Sequence, residues 1–264
     1  MTSESLEVRS RQLSPEDVDK VVLHLHDRGY AILENVIPRE EVEAARAEYL
    51  RTFEEFKATN STRLQTSHSG SGHYQIQPHL AGRFGGALYL ANPAVLQCLR
   101  PILGAGLKIA FCNSNLTQPG SSYQRVHRDC PPTFDGEISV PTPPSLLAVN
   151  ILLCDFTTEN GSTEVWPGTH LIVDTLRGTA GATDLEKRTE GWPATRTNAP
   201  AGSAVIRDLR LWHRGTPNHT TAPRMMLSLV YKRNWVAWRN HASLEAPAEV
   251  MADWPVEVRE LVRP

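Results

Sequence analysis

The chain has little cysteine, and what it has forms no pattern. Its 4 cysteines, Cys98, Cys112, Cys130 and Cys154, include no C-x-x-C pair. That argues against a zinc ribbon or a redox dithiol, and free thiols in a reducing compartment are the expectation. Runs of Lys or Arg are absent and the formal net charge is −2, so nucleic acid and anionic membrane are poor partners. No apolar stretch approaches the roughly 18 residues of a membrane span. The opening MTSESLEVRS lacks the apolar core of a secretory signal, so the NST triplet at Asn60 is read as a chance glycosylation match. Internal repeats and low-complexity tracts are missing too. These absences leave a cytoplasmic protein that acts on a small molecule, with its oligomeric state open.

What is present divides into two textures. Ser14-Pro15-Glu16-Asp17 is a helix start: a capping serine, proline at the first helical position and acids in the first turn. Val18, Val21, Val22 and Leu25 share one face, and Gly29 stops the helix. YAILENV is a short strand, and IPREEVEAARAEYLRTFEEF a second amphipathic helix. From about Leu107 short β-rich runs take over: LKIAFCNSNLTQ, SLLAVNILLCDF, STEVWPG, AGSAVIRD and MMLSLVYKRNW. So many short strands separated by turn residues predict an antiparallel barrel or jelly roll. With no linker in sight, the expectation is one domain over residues 1–264, with helices at about 14–57 packed on a β core at about 107–235. Three stretches read as long loops of the kind that form lids or binding walls: Thr62 to Gly86, Cys130 to Ser145 and Leu176 to Pro200.

The chemistry concentrates in YQRVHRDCPP, Tyr123 to Pro132. His127 and Asp129 are two apart, which on an extended backbone puts both side chains on one side. Packing gains little from that, whereas a metal ion gains two ligands. His213 closes a second β-like run, RDLRLWHRGTPNH. Two imidazoles and a carboxylate on one face of an octahedral ion leave three positions open, the arrangement of non-haem Fe(II) oxygenases. Zinc more often takes Cys or a third His, and calcium takes oxygen ligands. His-x-Asp alone is a weak signal. Arg224 sharpens it, eleven residues past His213 at the head of the strand RMMLSLVYKR. Its guanidinium can fork onto a carboxylate, here the far end of a chelating keto acid.

With these residues in hand, the chain resembles the phytanoyl-CoA dioxygenase (PhyH-type) branch of the Fe(II)- and 2-oxoglutarate-dependent oxygenases. The resemblance rests on HRD, on HRGTPNHTTAPR, on TTENGSTEVWPGTH (Thr157 to His170) and on GYAILENVIP after the first helix; it runs from about residue 14 to 235. It implies a mainly β fold with flanking helices, a double-stranded β-helix or cupin-like jelly-roll barrel. It implies His127, Asp129 and His213 as iron ligands and Arg224 as anchor for 2-oxoglutarate, with O2 as the oxidant. Gln124 looks like a position that contacts the co-substrate. Some members carry Ser two residues after the distal His; here Gly215 stands there, and Thr216 is a candidate for the same role. Asp129 argues against a halogenase, because the resembling halogenases lack that carboxylate.

Among the remaining residues, His68, His73 and His79 lie in the first long loop without an acidic or Cys partner, and His73 is the candidate substrate contact. Trp166 either flanks the co-substrate or packs ahead of a turn. Trp212 points away from His213 and packs. Phe134 and Ile138, in the Pro-rich loop, are expected to touch substrate. The functional expectation is a dioxygenase acting on a small molecule in secondary metabolism. Hydroxylation leads, and desaturation, cyclisation and epoxidation stay open. A non-redox metal- or ligand-binding jelly-roll module and a peptidyl hydroxylase are the alternatives.

Overall fold

A computed structural model describes residues 5–7, 12–59, 70–134, 140–173, 182–237, 244 and 246–262. Strand β1 (Ser5–Glu7), helix α1 (Pro15–Arg28), strand β2 (Tyr30–Glu34) and helix α2 (Arg39–Thr59) come first. Strand β3 (His73–Ile76), helices α3 (Ala87–Leu90) and α4 (Pro93–Leu103), and strands β4 (Lys108–Thr117) and β5 (Leu146–Leu152) follow. Then come β6 (Glu164–Val165), α5 (Ala182–Arg188), β7 (Thr195–Arg196), β8 (Ala204–Asp208), β9 (His213–Arg214) and β10 (Arg224–Lys232). Helices α6 (Ala248–Asp253) and α7 (Val256–Val262) end the described chain.

Helix α1 forms where its sequence says it should. The Ser14 side chain accepts from the Asp17 amide at 3.1 Å, with Pro15 next. At the other end Gly29 takes φ 83° and its amide donates to Leu25 O. Here glycine is required twice over: a Cβ would also lie 2.5 Å from His170 Nδ1.

The strands build two sheets. The larger runs β1-β2-β8-β5-β10-β4-β3, antiparallel except for the β1–β2 pair. The smaller runs β7-β6-β9 and gains one more rung through the antiparallel bridge between His127 and His213. This is the jelly roll anticipated above. Period-two alternation decides what each strand of the large sheet offers to which side. Met225, Leu227, Leu229 and Tyr231 of β10 and Leu147, Val149 and Ile151 of β5 join Tyr49 and Phe53 of α2 and Leu99 of α4 in the main apolar core. Their even-numbered neighbours face the space between the sheets. That is why the strands are apolar on one side and mixed on the other.

Three readings of the sequence need correction. Two of the supposed loops carry structure: β3 lies inside Thr62 to Gly86, and α5 and β7 lie inside Leu176 to Pro200. Residues 87–103, given no element above, form α3 and α4. The missed signal was Asn92-Pro93, in which the Asn92 side chain accepts from the Val95 amide at 3.3 Å, the same capping device as Ser14-Pro15.

Candidate active site

His127 and His213 meet through their backbones. The His127 amide donates to His213 O at 3.0 Å and the His213 amide to His127 O at 2.9 Å. This one rung sets the two rings side by side, with centroids 4.2 Å apart. Each Nδ1 is spent on a nearby carbonyl, His127 on Arg125 O at 2.8 Å and His213 on Leu211 O at 3.0 Å. Both Nε2 atoms are therefore left with lone pairs facing the same space. Asp129, whose amide donates to Leu209 O at 2.8 Å, closes the group. Its Oδ1 lies 3.7 Å from His127 Nε2 and 3.6 Å from His213 Nε2. One ligand atom from each residue falls within 4.8 Å of the others, the one such His/Cys/Asp/Glu group among the described residues.

Arg207, on β8, was missed in the sequence. It is buried, and its Nη2 donates to Asp129 Oδ2 at 2.6 Å. Its Nη1 sits 3.2 Å from His213 Nδ1. Burial alone would raise the Asp129 carboxyl, but the Arg207 charge, with its hydrogen bond, holds it well below the usual carboxylate range. Burial first, and Arg207 next, push His213 well below 6.5. The carboxylate is charged and the imidazole neutral, the states a metal ion requires. The available signal was the charged pair Arg207-Asp208 closing the apolar run AVIRD. Behind it, Arg210 forks onto Asp208, with Nη2–Oδ2 at 2.7 Å and Nε–Oδ1 at 3.0 Å, and reaches Thr142 O at 2.9 Å. That bracing stiffens the turn leading into His213.

The three donors open onto a cavity of about 230 Å³ between the sheets. Strand register divides its large-sheet wall into rows. The first is His73, Thr117 and Arg224; the second Gln75, Asn115 and Met226. The third is Asn113, Ser228 and Asn150; the fourth Phe111, Val230 and Ala148. Every one of these side chains lines the cavity. Arg224 is 3 % exposed. Its Nη2 donates to Thr117 Oγ1 and its Cζ lies 4.6 Å over the Phe156 ring. Nε and Nη1 are buried with no hydrogen-bond partner among the described residues. Burial pushes its pKa down to about 10, so it stays charged at neutral pH. A buried cation that lines the cavity and keeps N–H groups to spare suits a carboxylate. The donor set and the under-bonded Arg224 guanidinium together fit an iron ion and the distal carboxylate of 2-oxoglutarate in the one cavity.

The remaining candidates divide. Gln124 lines the cavity, and its Oε1 accepts from the Gly215 amide at 2.7 Å. His73 lines it too, but in the Arg224 row. Thr216 does not line it: its hydroxyl donates to Ser162 O at 3.0 Å and accepts from Arg196. Thr117 occupies the place beside Arg224 that Thr216 was expected to fill. Trp166, which directly follows β6, is packed with Val126, Leu185 and Trp212 and stays out of the cavity. Phe134 is 42 % exposed and borders a separate small hollow beside His170 and Arg210. Ile138 and His68 lie outside the described residues, and His79 is not among the cavity walls.

Comparison with known proteins follows the same line. The family model described as Phytanoyl-CoA dioxygenase (PhyH) matches residues 25–226. Dioxygenase af480 of Aspergillus fumigatus (strain Af293) is 28% identical over 177 residues, 66% of this chain and 53% of that protein. The match thus spans about half the length of that curated relative. Among solved structures, the non-heme alpha ketoglutarate dependent carbocyclase SnoK from nogalamycin biosynthesis aligns with a TM-score of 0.60 at 21% identity, over 84% of both chains. HygX from Streptomyces hygroscopicus, with nickel, 2-oxoglutarate and hygromycin B bound, aligns with a TM-score of 0.63 at 17% identity, over 86% of this chain and 90% of that one. At such identities the structural likeness speaks for the jelly-roll fold. No described helix is long and apolar enough to cross a membrane.

Proposed function

The chain belongs to the phytanoyl-CoA dioxygenase family, whose members are non-haem iron dioxygenases using 2-oxoglutarate and O2, and from that premise we propose that it oxidises a small molecule, first of all by hydroxylation. Desaturation, cyclisation and epoxidation use the same site and differ in how substrate is held. The observation that carries the reading is the pairing of His127, Asp129 and His213 with the buried, under-bonded guanidinium of Arg224 in one cavity. In this assignment His127, Asp129 and His213 hold Fe(II), Arg224 anchors the distal carboxylate of 2-oxoglutarate, and Gln124 borders the co-substrate. The bound iron, with 2-oxoglutarate and O2, supplies the oxidising power, releasing succinate and CO2.

The protein's own contribution is placement and exclusion. The hydrogen bonds from each Nδ1 fix which face of each imidazole meets the metal. Arg207 divides the Asp129 carboxylate so that one oxygen remains for it. The row of Phe111, Val230 and Ala148 keeps water from one stretch of the cavity, while Asn113, Ser228 and Asn150 offer neutral hydrogen-bonding groups. Asn150 Nδ2 donates to Ser228 Oγ at 3.0 Å. Such walls suit an uncharged small molecule bearing hydroxyl or carbonyl groups. The secondary-metabolite setting of SnoK and HygX supports a role in natural-product tailoring. The helices and both sheets are read as one catalytic unit, because the main apolar core gathers residues from Leu13 to Leu261 and a second cluster packs Val165 of the small sheet against Ile32, Leu152 and Val205 of the large one.

The test is anaerobic addition of Fe(II) and 2-oxoglutarate, which is expected to produce a weak visible charge-transfer band; admission of air with substrate is expected to release succinate. Folded protein giving neither would instead favour a non-redox binding module.

A further inference from the structure

The row that ends the cavity crosses three adjacent strands. His73 on β3 pairs with Thr117 on β4, and Thr117 pairs with Arg224 on β10. Their side chains are joined in the same order. His73 Nε2 lies 2.7 Å from Ser122 O, a carbonyl that can only accept. The ring proton is therefore on Nε2 and Nδ1 carries a lone pair. Nδ1 lies 3.2 Å from Thr117 Oγ1, so the threonine hydroxyl donates to it. Having given its proton to His73, Thr117 Oγ1 is left to accept from Arg224 Nη2. Each group has one role compatible with its neighbour's, and the chain fixes the roll of the guanidinium about its own axis.

We infer that His73 is a positioning residue for the co-substrate: through Thr117 it ties down one arm of Arg224 and fixes the roll of the guanidinium that holds the distal carboxylate of 2-oxoglutarate. The inference rests on the co-substrate assignment made above. Several observations support it. All three side chains are buried. Burial, and the nearby Arg224 charge, lower the His73 pKa against the opposing Ser122 bond, which keeps the single-proton tautomer the relay needs. The ring's place is also reserved. A Cβ on residue 215 would come within 2.9 Å of His73 Cε1 and 2.7 Å of Gln124 Oε1, so Gly215 leaves room for both. The sequence reading put His73 against substrate; the geometry moves it to the opposite job.

The experiment compares two keto acids. Both 2-oxoglutarate and pyruvate can chelate Fe(II), but pyruvate has no distal carboxylate. Anaerobic titrations of the Fe(II)-loaded protein, followed by the charge-transfer band, give a Kd for each. His73→Phe keeps a ring and loses both hydrogen bonds. It is expected to raise the 2-oxoglutarate Kd about tenfold, the worth of a charge-assisted hydrogen bond of about 1.4 kcal/mol. The pyruvate Kd should stay within about twofold, because the metal end is untouched. Asn places an acceptor where Nδ1 was, so His73→Asn should restore the 2-oxoglutarate Kd to within about threefold of wild type. Thr117→Val breaks the relay at its middle and should match His73→Phe, with the double variant no worse than either. An unchanged 2-oxoglutarate Kd, or equal losses for both keto acids, would overturn the inference while leaving the co-substrate assignment standing. Wild-type protein that shows no band with Fe(II) and 2-oxoglutarate would overturn both.

Discussion

The Asp129 carboxylate is divided between two tasks. Oδ2 is taken by Arg207 at 2.6 Å, and Oδ1 faces the two Nε2 atoms. Without the guanidinium, the carboxylate is free to rotate or to offer both oxygens, and the charge balance of the site changes. Arg207→Met is expected to weaken Fe(II) binding by about 10- to 100-fold, the range for partners that orient metal ligands. Arg207→Lys keeps the charge but not the fork, and should fall between Met and wild type. Anaerobic metal titration of the purified variants checks this, and equal affinities for Met and wild type would remove Arg207 from the account. Spacing found His127 and Asp129 because two donors two residues apart on extended chain leave a trace in the sequence. Arg207 leaves almost none, since its partner stands 78 positions away and only β8–β5 pairing turns it inward. Thr117 escaped notice for the same reason. It serves Arg224 across a strand pair, whereas Thr216, close to His213 in sequence, is turned toward Ser162.

Helix α1 tests how an element far from the chemistry supports it. Its two ends are built differently. Ser14 only caps, and its surroundings are solvent. Gly29 caps, accepts at its carbonyl from the Asp208 amide at 2.8 Å, and lies where a Cβ would meet His170 Nδ1 and Leu211 Cδ1 at 2.5 and 2.9 Å. Ser14→Ala should cost about 1 kcal/mol and leave metal affinity alone. Gly29→Ala should cost more, about 2 kcal/mol or above, from left-handed strain plus displaced neighbours. It should also weaken metal binding, because Asp208 and Leu211 belong to the turn that delivers His213. Denaturant unfolding and a metal titration on both variants separate the two effects; equal metal affinities would show that α1 is thermally but not functionally coupled. The elements legible in sequence were those with their own punctuation or alternation, such as α1, β2 and β10. The short β6, β7 and β9 hold their shape by pairing with one another across long gaps, and β3 exists only as an edge laid on β4. Of these, β6 lies in the run STEVWPG and β9 begins where RDLRLWH ends, so both left a trace, whereas β7 and β3 have no local signature to read.

At the scale of the whole molecule, three buried histidines set a pH dependence. His73, His170 and His213 lie in different parts of the fold, and each has its pKa lowered from 6.5, with burial the first cause in every case. For a group whose native pKa is depressed in this way, the unfolded chain binds the proton and the folded one resists it. Stability then rises with pH wherever the unfolded state holds more protons. The native advantage is complete above about 6.5 and is lost progressively as pH falls from there toward the depressed native values. Asp129 acts lower: its native carboxyl is held below 3.8, so its contribution persists through mild acid and fades only beneath that value. Metal-free protein should therefore show a Tm that is level above about pH 7 and declines toward pH 5. The Tm gain on adding Fe(II) under nitrogen should shrink as pH falls, because the ligand imidazoles must be unprotonated to bind. Calorimetry of metal-free protein across that range decides the matter: a flat or rising Tm on acidification would mean the buried imidazoles are far better hydrated than their surroundings imply, and the neutral state assigned to His213 would fall with it.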